Sequence, residues 1–277
     1  MFKEKQKWFL NALFLVGCFL IHDLTTQGQT IKIMTYNIRH ASPPSHPNKI
    51  DVDTIAGVIK KYQPDIVALQ EVDVYTGRSG KQLHEAQAIA ERAGMQASFG
   101  KAIDFSGGAY GIAVLSKYPI DSAKTIALPS ANVGAERRAL LITYLHLPNG
   151  KKGVFACTHL DSETSDDSRL LQINTIDSVL ALIPYPVLFA GDLNAEPESP
   201  VIKKLDEHFQ RSCVKDCGFS FSNEHPEKTI DYIAGRKLDG FIFSNHRVLP
   251  DAYPSDHLPV MAAAKYPSKK SKSSKRK

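Results

Sequence analysis

Residues 187–194 read Val187-Leu188-Phe189-Ala190-Gly191-Asp192-Leu193-Asn194. Four consecutive apolar residues followed by a Gly-Asp-x-Asn step describe a strand buried on both faces whose end delivers polar side chains. Such strands belong to sheets covered by helices, so this stretch places the chain among α/β folds. Immediately upstream, Ser168 to Ile183 has helical spacing and stops at Pro184, and before it Gly153 to Thr158 has strand character. The same strand–helix–strand unit recurs near the start: Ile31 to Tyr36, then a helix over Ile50 to Tyr62 broken by Pro64-Asp65, then Ile66 to Leu69. His84 to Ala93 reads as a second helix closed by Gly94. Gly111 to Leu115, Arg138 to Leu147, Ile230 to Ile233, Leu238 to Phe243 and Leu258 to Ala263 read as further strands. No internal repeat is visible and no linker divides residues 30–266, which predicts one domain over 29–266.

The two ends differ from this core. Lys3, Lys5 and Lys7 precede the apolar stretch Trp8 to Ile21, which is short for a bilayer span and suits the core of a signal peptide. Residues 1–28 are therefore expected to direct export, with Gly28 at the cleavage point. Leu15-Val16-Gly17-Cys18 also resembles a lipobox that would lipidate Cys18, although Phe19, Leu20 and Ile21 continue the apolar run. A periplasmic, cell-surface or extracellular location follows, possible anchoring through Cys18 included. Residues 267–277 carry six Lys/Arg and no acid and read as a solvated tail. Without both ends the net charge of +5 becomes −2, so the core lacks the basic footprint of a processive nucleic-acid binder. A mean hydropathy of −0.22 and the absence of other long apolar runs exclude a polytopic helical membrane protein. Of the remaining cysteines, Cys157 lies in an apolar strand and reads as core. Cys213 and Cys217 could form a local disulfide, and a zinc site is not expected there.

Polar residues collect where the apolar runs stop. The first strand ends in Asn37; Ile66 to Leu69 is followed by Gln70-Glu71, and Gly153 to Cys157 by Thr158-His159-Leu160-Asp161. Ala190 leads into Gly191-Asp192-Leu193-Asn194, Ile230 into Asp231, and Ser255-Asp256-His257 opens the last strand. Strand ends are where layered α/β folds build sites. Glu71, Asp192, Asp231 and Asp256 in one cleft would be four carboxylates that cannot all stay ionised without a counter-charge. A hard divalent cation such as Mg²⁺ supplies it, with Mn²⁺ or Ca²⁺ as alternatives. His159 and His257 add proton donors. Asp192 and Asn194, two apart on extended backbone, are expected on one side, one handling a water and the other orienting it. The inventory fits metal-assisted attack of water on a phosphate ester.

With these residues in view the chain resembles the endonuclease/exonuclease/phosphatase superfamily of Mg²⁺-dependent phosphoesterases over about Ile31 to Ala264. The motifs run in order: Thr35-Tyr36-Asn37, Leu69-Gln70-Glu71, Tyr110-Gly111 with Val114-Leu115-Ser116, Thr158-His159-Leu160, Gly191-Asp192-Leu193-Asn194, Ile230-Asp231-Tyr232 and Ser255-Asp256-His257. The resemblance implies a four-layered α/β sandwich with two central mixed sheets and the site at one rim. It implies Glu71 as metal ligand, with Asn37 nearby and Asp256 contributing directly or through water. It further implies proton transfer by His257 oriented by Asp231, water activation by Asp192, phosphate positioning by Asn194, and contacts from Tyr110 and His159 to phosphoryl or leaving-group oxygens.

Arg39-His40 stand where several nucleases of that family carry an acidic residue, which argues against a second metal. Arg78 and the pair Arg137-Arg138 are candidates to meet substrate anions, with Glu136 a partner for one of them or for His159. Asn223-Glu224-His225-Pro226 is short and little basic for a dedicated nuclease. His84, His146, His208 and His246 lack motif context and read as surface or structural, and Asp161 as second to the site or a turn residue. The expected protein is an exported, Mg²⁺-dependent phosphodiesterase acting on nucleic acid, phospholipid or a small diester, monomeric and without an obligatory protein partner. A phosphomonoesterase or lipid- or inositol-headgroup phosphoesterase is the alternative. A non-catalytic binding module is disfavoured by the intact set of acids and histidines.

Overall fold

Alternation along the first strand decides the layering. In β1 (Thr30–Asn37), Ile31 and Ile33 point into one apolar cluster, while Met34 and Tyr36 point into another with the helices. The same two-faced pattern repeats in every inner strand. The computed structural model, which describes residues 30–147 and 150–266, therefore has four layers: helices, sheet, sheet, helices. The signal and tail readings, including Cys18, lie outside the described residues.

The first sheet contains β1, β2 (Ile66–Val74), β3 (Gln96–Phe105), β4 (Gly108–Ser116), β11 (Ile242–Val248) and β12 (Val260–Lys265), in the order β11-β12-β1-β2-β4-β3. The second contains β5 (Ile120–Leu128), β6 (Arg138–His146), β7 (Lys152–His159), β8 (Val187–Asp192), β9 (Phe209–Arg211) and β10 (Asp231–Arg236), in the order β5-β6-β7-β8-β10-β9. Only β1/β2 and β7/β8 are parallel, each joined by a crossover helix. These helices are α1 (Val52–Tyr62) and α3 (Asp167–Ala181); α2 (Glu85–Ala93) and α4 (Pro200–His208) complete the outer layers. Asp51 caps α1 by accepting the Thr54 N–H at 3.1 Å. His84 does the same for α2 through Nδ1, and Gly94, at φ +67°, ends it.

Several elements differ from the sequence reading. β3, β5, β9 and α4 were not foreseen. Residues 238–243 are not one strand: Lys237–Asp239 form a 3₁₀ turn closed by left-handed Gly240, and the strand begins at Ile242. β2 does not stop at Leu69 but continues to Val74 beyond a bulge at Glu71, whose φ is +57°. Cys213 and Cys217 are joined in a disulfide, and Cys157 is buried in the layer between the sheets.

Candidate active site

Rows of side chains that face between the sheets run out in polar groups at one rim. Along β1 the row is Ile31, Ile33, Thr35, Asn37; along β7 it is Phe155, Cys157, His159; along β8, Leu188, Ala190, Asp192. β10 contributes Asp231 beside Ile233, and β4 contributes Tyr110 beyond Ile112 and Val114. Period-two geometry puts these groups on the same face at the same rim. Gly191 makes the close approach possible: a Cβ there would stand 2.2 Å from the Thr158 carbonyl oxygen. β8 thereby lies tight against β7, with Asp192 paired in register with both His159 and Asp231.

Asn37 joins the two sheets. Its Nδ2 donates to Glu71 Oε1 and to Asp192 Oδ2, at 3.1 Å each. Its Oδ1 accepts the Arg39 N–H at 3.1 Å, and the Ser255 hydroxyl donates to its carbonyl at 2.7 Å. Asn37, expected near the metal, thus also donates to two of the site carboxylates. Burial opposes charge on Glu71, but His40 and Asn37 facing it outweigh that and hold its carboxyl at about 2. Asp256, the other expected metal contact, lies 3.5 Å from Arg39 Nε.

Across the rim, His257 Nδ1 meets Asp231 Oδ2 at 2.9 Å, and its Nε2 stands 3.6 Å from Asp192 Oδ2. Ser220 Oγ accepts the Asp231 N–H, and Phe221 packs on the His257 ring with centroids 4.8 Å apart. Burial opposes charge on His257, yet Asp231 and Asp192 hold its proton far above the ordinary histidine range. Burial, then the neighbouring Asp231, push the Asp192 carboxyl well up. His159 goes the other way: burial and the adjacent Arg138 guanidinium drive it well below its usual value, so its ring is neutral. Its Nε2 is 3.5 Å from Asp192 Oδ2 and 3.1 Å from the Asn194 amide nitrogen. Asn194 is not on extended backbone as expected. It turns back at φ +46°, its N–H donating to Asp192 Oδ1 at 2.9 Å.

The arginines divide. Arg138 is buried at the site, with Nη1 2.8 Å from Glu136 and 3.3 Å from His159 Nδ1. Arg78 is clamped by Asp73 through two bonds of 2.7 and 3.0 Å, its guanidinium 5.4 Å from the Tyr110 ring centre. Tyr110 is buried, and burial with the nearby Glu71 keeps it a neutral phenol. Arg137 is exposed, and among the described residues no hydrogen bond or ion pair ties it to the cluster. Glu136 pairs with Arg138 alone, and Asp161 closes a turn by accepting the Glu163 N–H. Sequence reading missed Ser220, Phe221 and Ser255 as supports. Ser255 lay within a quoted motif, whereas Phe221 reaches the site from a loop 36 positions before His257, with no local signal. A second convergence of ligating atoms, Cys213, Cys217 and His246, has its sulfurs tied in the disulfide. His246 sits beside them although the sequence offered no nearby histidine.

A cleft of about 500 Å³ opens from His257 and Asn194, lined also by Glu163, Asp166, Glu196, Phe221 and Lys228.

Known proteins are similar to this chain in sequence or in fold. Nocturnin of Xenopus laevis is 27% identical over 162 residues, 53% of this chain and 40% of that protein. The match therefore spans less than half the length of that relative. An endonuclease/exonuclease/phosphatase structure from Beutenbergia cavernae is 25% identical, with a TM-score of 0.72 over 86% of this chain and 72% of its own. A mannosyl-6-phosphatase of Bacteroides thetaiotaomicron, 18% identical, shares the fold at a TM-score of 0.68, covering 85% of this chain and all of its own. Residues 34–257 match the Endonuclease/Exonuclease/phosphatase family, whose members are metal-dependent hydrolases of phosphoester bonds, and the chain belongs to that family.

Proposed function

We propose that this protein is an exported, Mg²⁺-dependent phosphoesterase that hydrolyses a phosphodiester of a small polar alcohol. The observation that carries the reading is the line Asp231–His257–Asp192–Asn37–Glu71 across the rim, hydrogen-bonded at every step but His257–Asp192, a charge contact of 3.6 Å. Asp192, with its carboxyl raised by burial, is suited to take a proton from water near neutral pH. His257, held protonated by Asp231, is suited to donate one to the departing oxygen. Asn194 and neutral His159 orient the phosphoryl group, and Tyr110 offers a further hydroxyl donor.

The donor set fits a hard divalent cation. Glu71 is ionised and about 26% exposed, and Asp256 is held 3.5 Å from Arg39, the residue before His40, which faces Glu71. Bound there, Mg²⁺ would neutralise charge on a phosphoryl oxygen and on the leaving oxygen.

Charge favours a diester. Arg39, Arg138 and His257 are already paired with Asp256, Glu136 and Asp231, so among the described cleft residues Lys228 is the one cation without an ion pair to face a doubly charged monoester. Glu163 and Glu196 on the cleft wall carry no cation partner there, whereas Asp166 is tied to Arg169 at 2.7 Å, and such a mixed lining suits a hydroxylated alcohol. The fold shared with a mannosyl-6-phosphatase supports a second reading, a sugar-phosphate monoesterase. Export is supported by the N-terminal sequence and by the Cys213–Cys217 disulfide, which suits an oxidising compartment.

Hydrolysis of bis-p-nitrophenyl phosphate and p-nitrophenyl phosphate with Mg²⁺, and after EDTA, tests the proposal. Metal-dependent turnover favouring the diester is expected. Turnover of the monoester alone selects the second reading, and turnover of neither rejects both.

A further inference from the structure

Arg39, His40 and Ala41 follow Asn37 with φ values of +47°, +42° and +51°, three successive left-handed residues with no glycine among them. Left-handed backbone is unfavourable for residues that carry a side chain, so the turn persists only because its surroundings impose it. The constraints are visible. The Arg39 N–H donates to Asn37 Oδ1, Arg39 Nη1 donates to the Ser42 carbonyl at 2.8 Å, and the Asp51 N–H donates to the Ala41 carbonyl at 2.7 Å. The result is that His40 is turned back toward the bulge carrying Glu71.

His40 Nδ1 is buried and has no hydrogen-bond partner among the described residues. It stands 3.9 Å from Glu71 Oε2, too far for a hydrogen bond. That separation is shorter than two metal–ligand bonds of about 2.1 Å laid end to end, so one cation can touch both atoms. A buried ring nitrogen without a partner is costly unless something occupies it.

We propose that His40 Nδ1 is a ligand of the cation that Glu71 holds. The inference rests on the metal-dependent reading above and refines it: the site is a mixed nitrogen–oxygen site. Imidazole nitrogen adds affinity for first-row transition ions such as Mn²⁺ and Co²⁺ while giving little to Mg²⁺, which prefers oxygen. His40 thereby sets the preference among divalent ions.

The experiment measures Mn²⁺ and Mg²⁺ affinity of the purified protein, the His40→Gly variant and the Glu71→Gln variant. Pulsed EPR of the Mn²⁺-loaded forms is recorded to detect a coordinated imidazole nitrogen. Glycine suits the left-handed backbone, and thermal unfolding reports whether the variant is folded. Loss of even an outer partner of a metal ligand costs roughly 10–100-fold in affinity. His40→Gly is therefore expected to weaken Mn²⁺ at least tenfold while Mg²⁺ changes far less, and to remove the nitrogen signal. If both ions bind the variant as well or better, His40 is only a counter-charge that competes with the metal, and the proposal is wrong. Equal weakening of both ions also overturns it, as does the absence of a nitrogen signal in the wild type, which decides the matter even if the variant does not fold. If the wild type binds neither ion and Glu71→Gln changes nothing, the metal-dependent reading fails with it.

Discussion

The two halves of the molecule follow one plan. β1-α1-β2-α2-β3-β4-β5-β6 and β7-α3-β8-α4-β9-β10-β11-β12 trace the same path, and each half lends its last hairpin to the other half's sheet. The sequence shows no repeat, so the duplication lives in topology alone. What the halves carry at the rim differs. The first supplies Asn37, one carboxylate, Tyr110 and Arg138; the second supplies His159, Asp192, Asn194, Asp231, Asp256 and His257. In the first half Glu71 is held ionised at about 2, fit to keep a cation. In the second, burial and mutual repulsion raise Asp192 while Asp231 keeps His257 protonated, fit to move protons. On the proposed reading, one scaffold used twice would put proton transfer in the second half and the main cation carboxylate in the first, with Asp256 the second half's contribution to the cation, and Asn37 is the side chain that touches Glu71 and Asp192.

The sharpest way to break this division is within the second half. Asp231→Asn preserves shape but removes the charge that orients and protonates His257. The turnover number is expected to fall by about 10²–10⁴-fold while the affinity for divalent cations stays unchanged. A comparable loss of cation binding would show that the halves are not separate.

Asn37→Ala attacks the seam. Glu71 and Asp192 lose a shared donor in a buried setting, so unfolding stability should drop by about 1–3 kcal/mol, with both cation affinity and turnover impaired. An effect on only one of the two would mean that the bridge serves one half.

A contrast of stability with pH comes from Glu85 in the first half, which has no part in the site. Its Oε2 accepts the Asp73 N–H at 2.8 Å, Oε1 has no partner, and burial raises the carboxyl to about 8. The folded state therefore holds this proton more tightly than the unfolded state. Stability is expected to fall as pH rises from about 4 to about 8, by up to ~1.4 kcal/mol per unit. Glu85→Gln should remove that slope, so the variant melts higher than wild type at pH 9 and alike at pH 4. Parallel melting curves across that range would contradict the assignment.

The smallest effect is expected at Arg137. Exposed and, among the described residues, without a hydrogen bond or ion pair to the cluster, Arg137 replaced by Ala should change stability by less than about 0.5 kcal/mol and leave turnover within twofold. A large loss would extend the site to the loop before β6.

What could be read from the sequence follows the same physics. All eight inner strands were legible, because residues such as Val187 to Ala190 and Ile66 to Leu69 are buried on both faces and form unbroken apolar runs. All four edge strands were missed or misplaced. β5, with Asp121, Ser122 and Lys124 exposed, has no hydrophobic signature, since one flank of an edge strand faces water. The site was legible for a related reason: Asn37, His159 and Asp192 interrupt inward-facing apolar rows at their ends. The charge-state differences among Glu71, His159 and Asp192 were not, because they depend on neighbours brought from other strands. His40 was visible only as a departure from a resemblance, its buried nitrogen a product of the left-handed turn.

The most direct test of the division between the halves compares Asp192→Asn with Glu71→Gln by calorimetric titration of Mg²⁺ and Mn²⁺ alongside phosphodiester turnover in the same preparations. Asp192→Asn is expected to bind the cation and fail to turn over, and Glu71→Gln to lose both. If Asp192→Asn keeps near wild-type turnover, or if Glu71→Gln binds and hydrolyses normally, the roles given to the two halves are wrong.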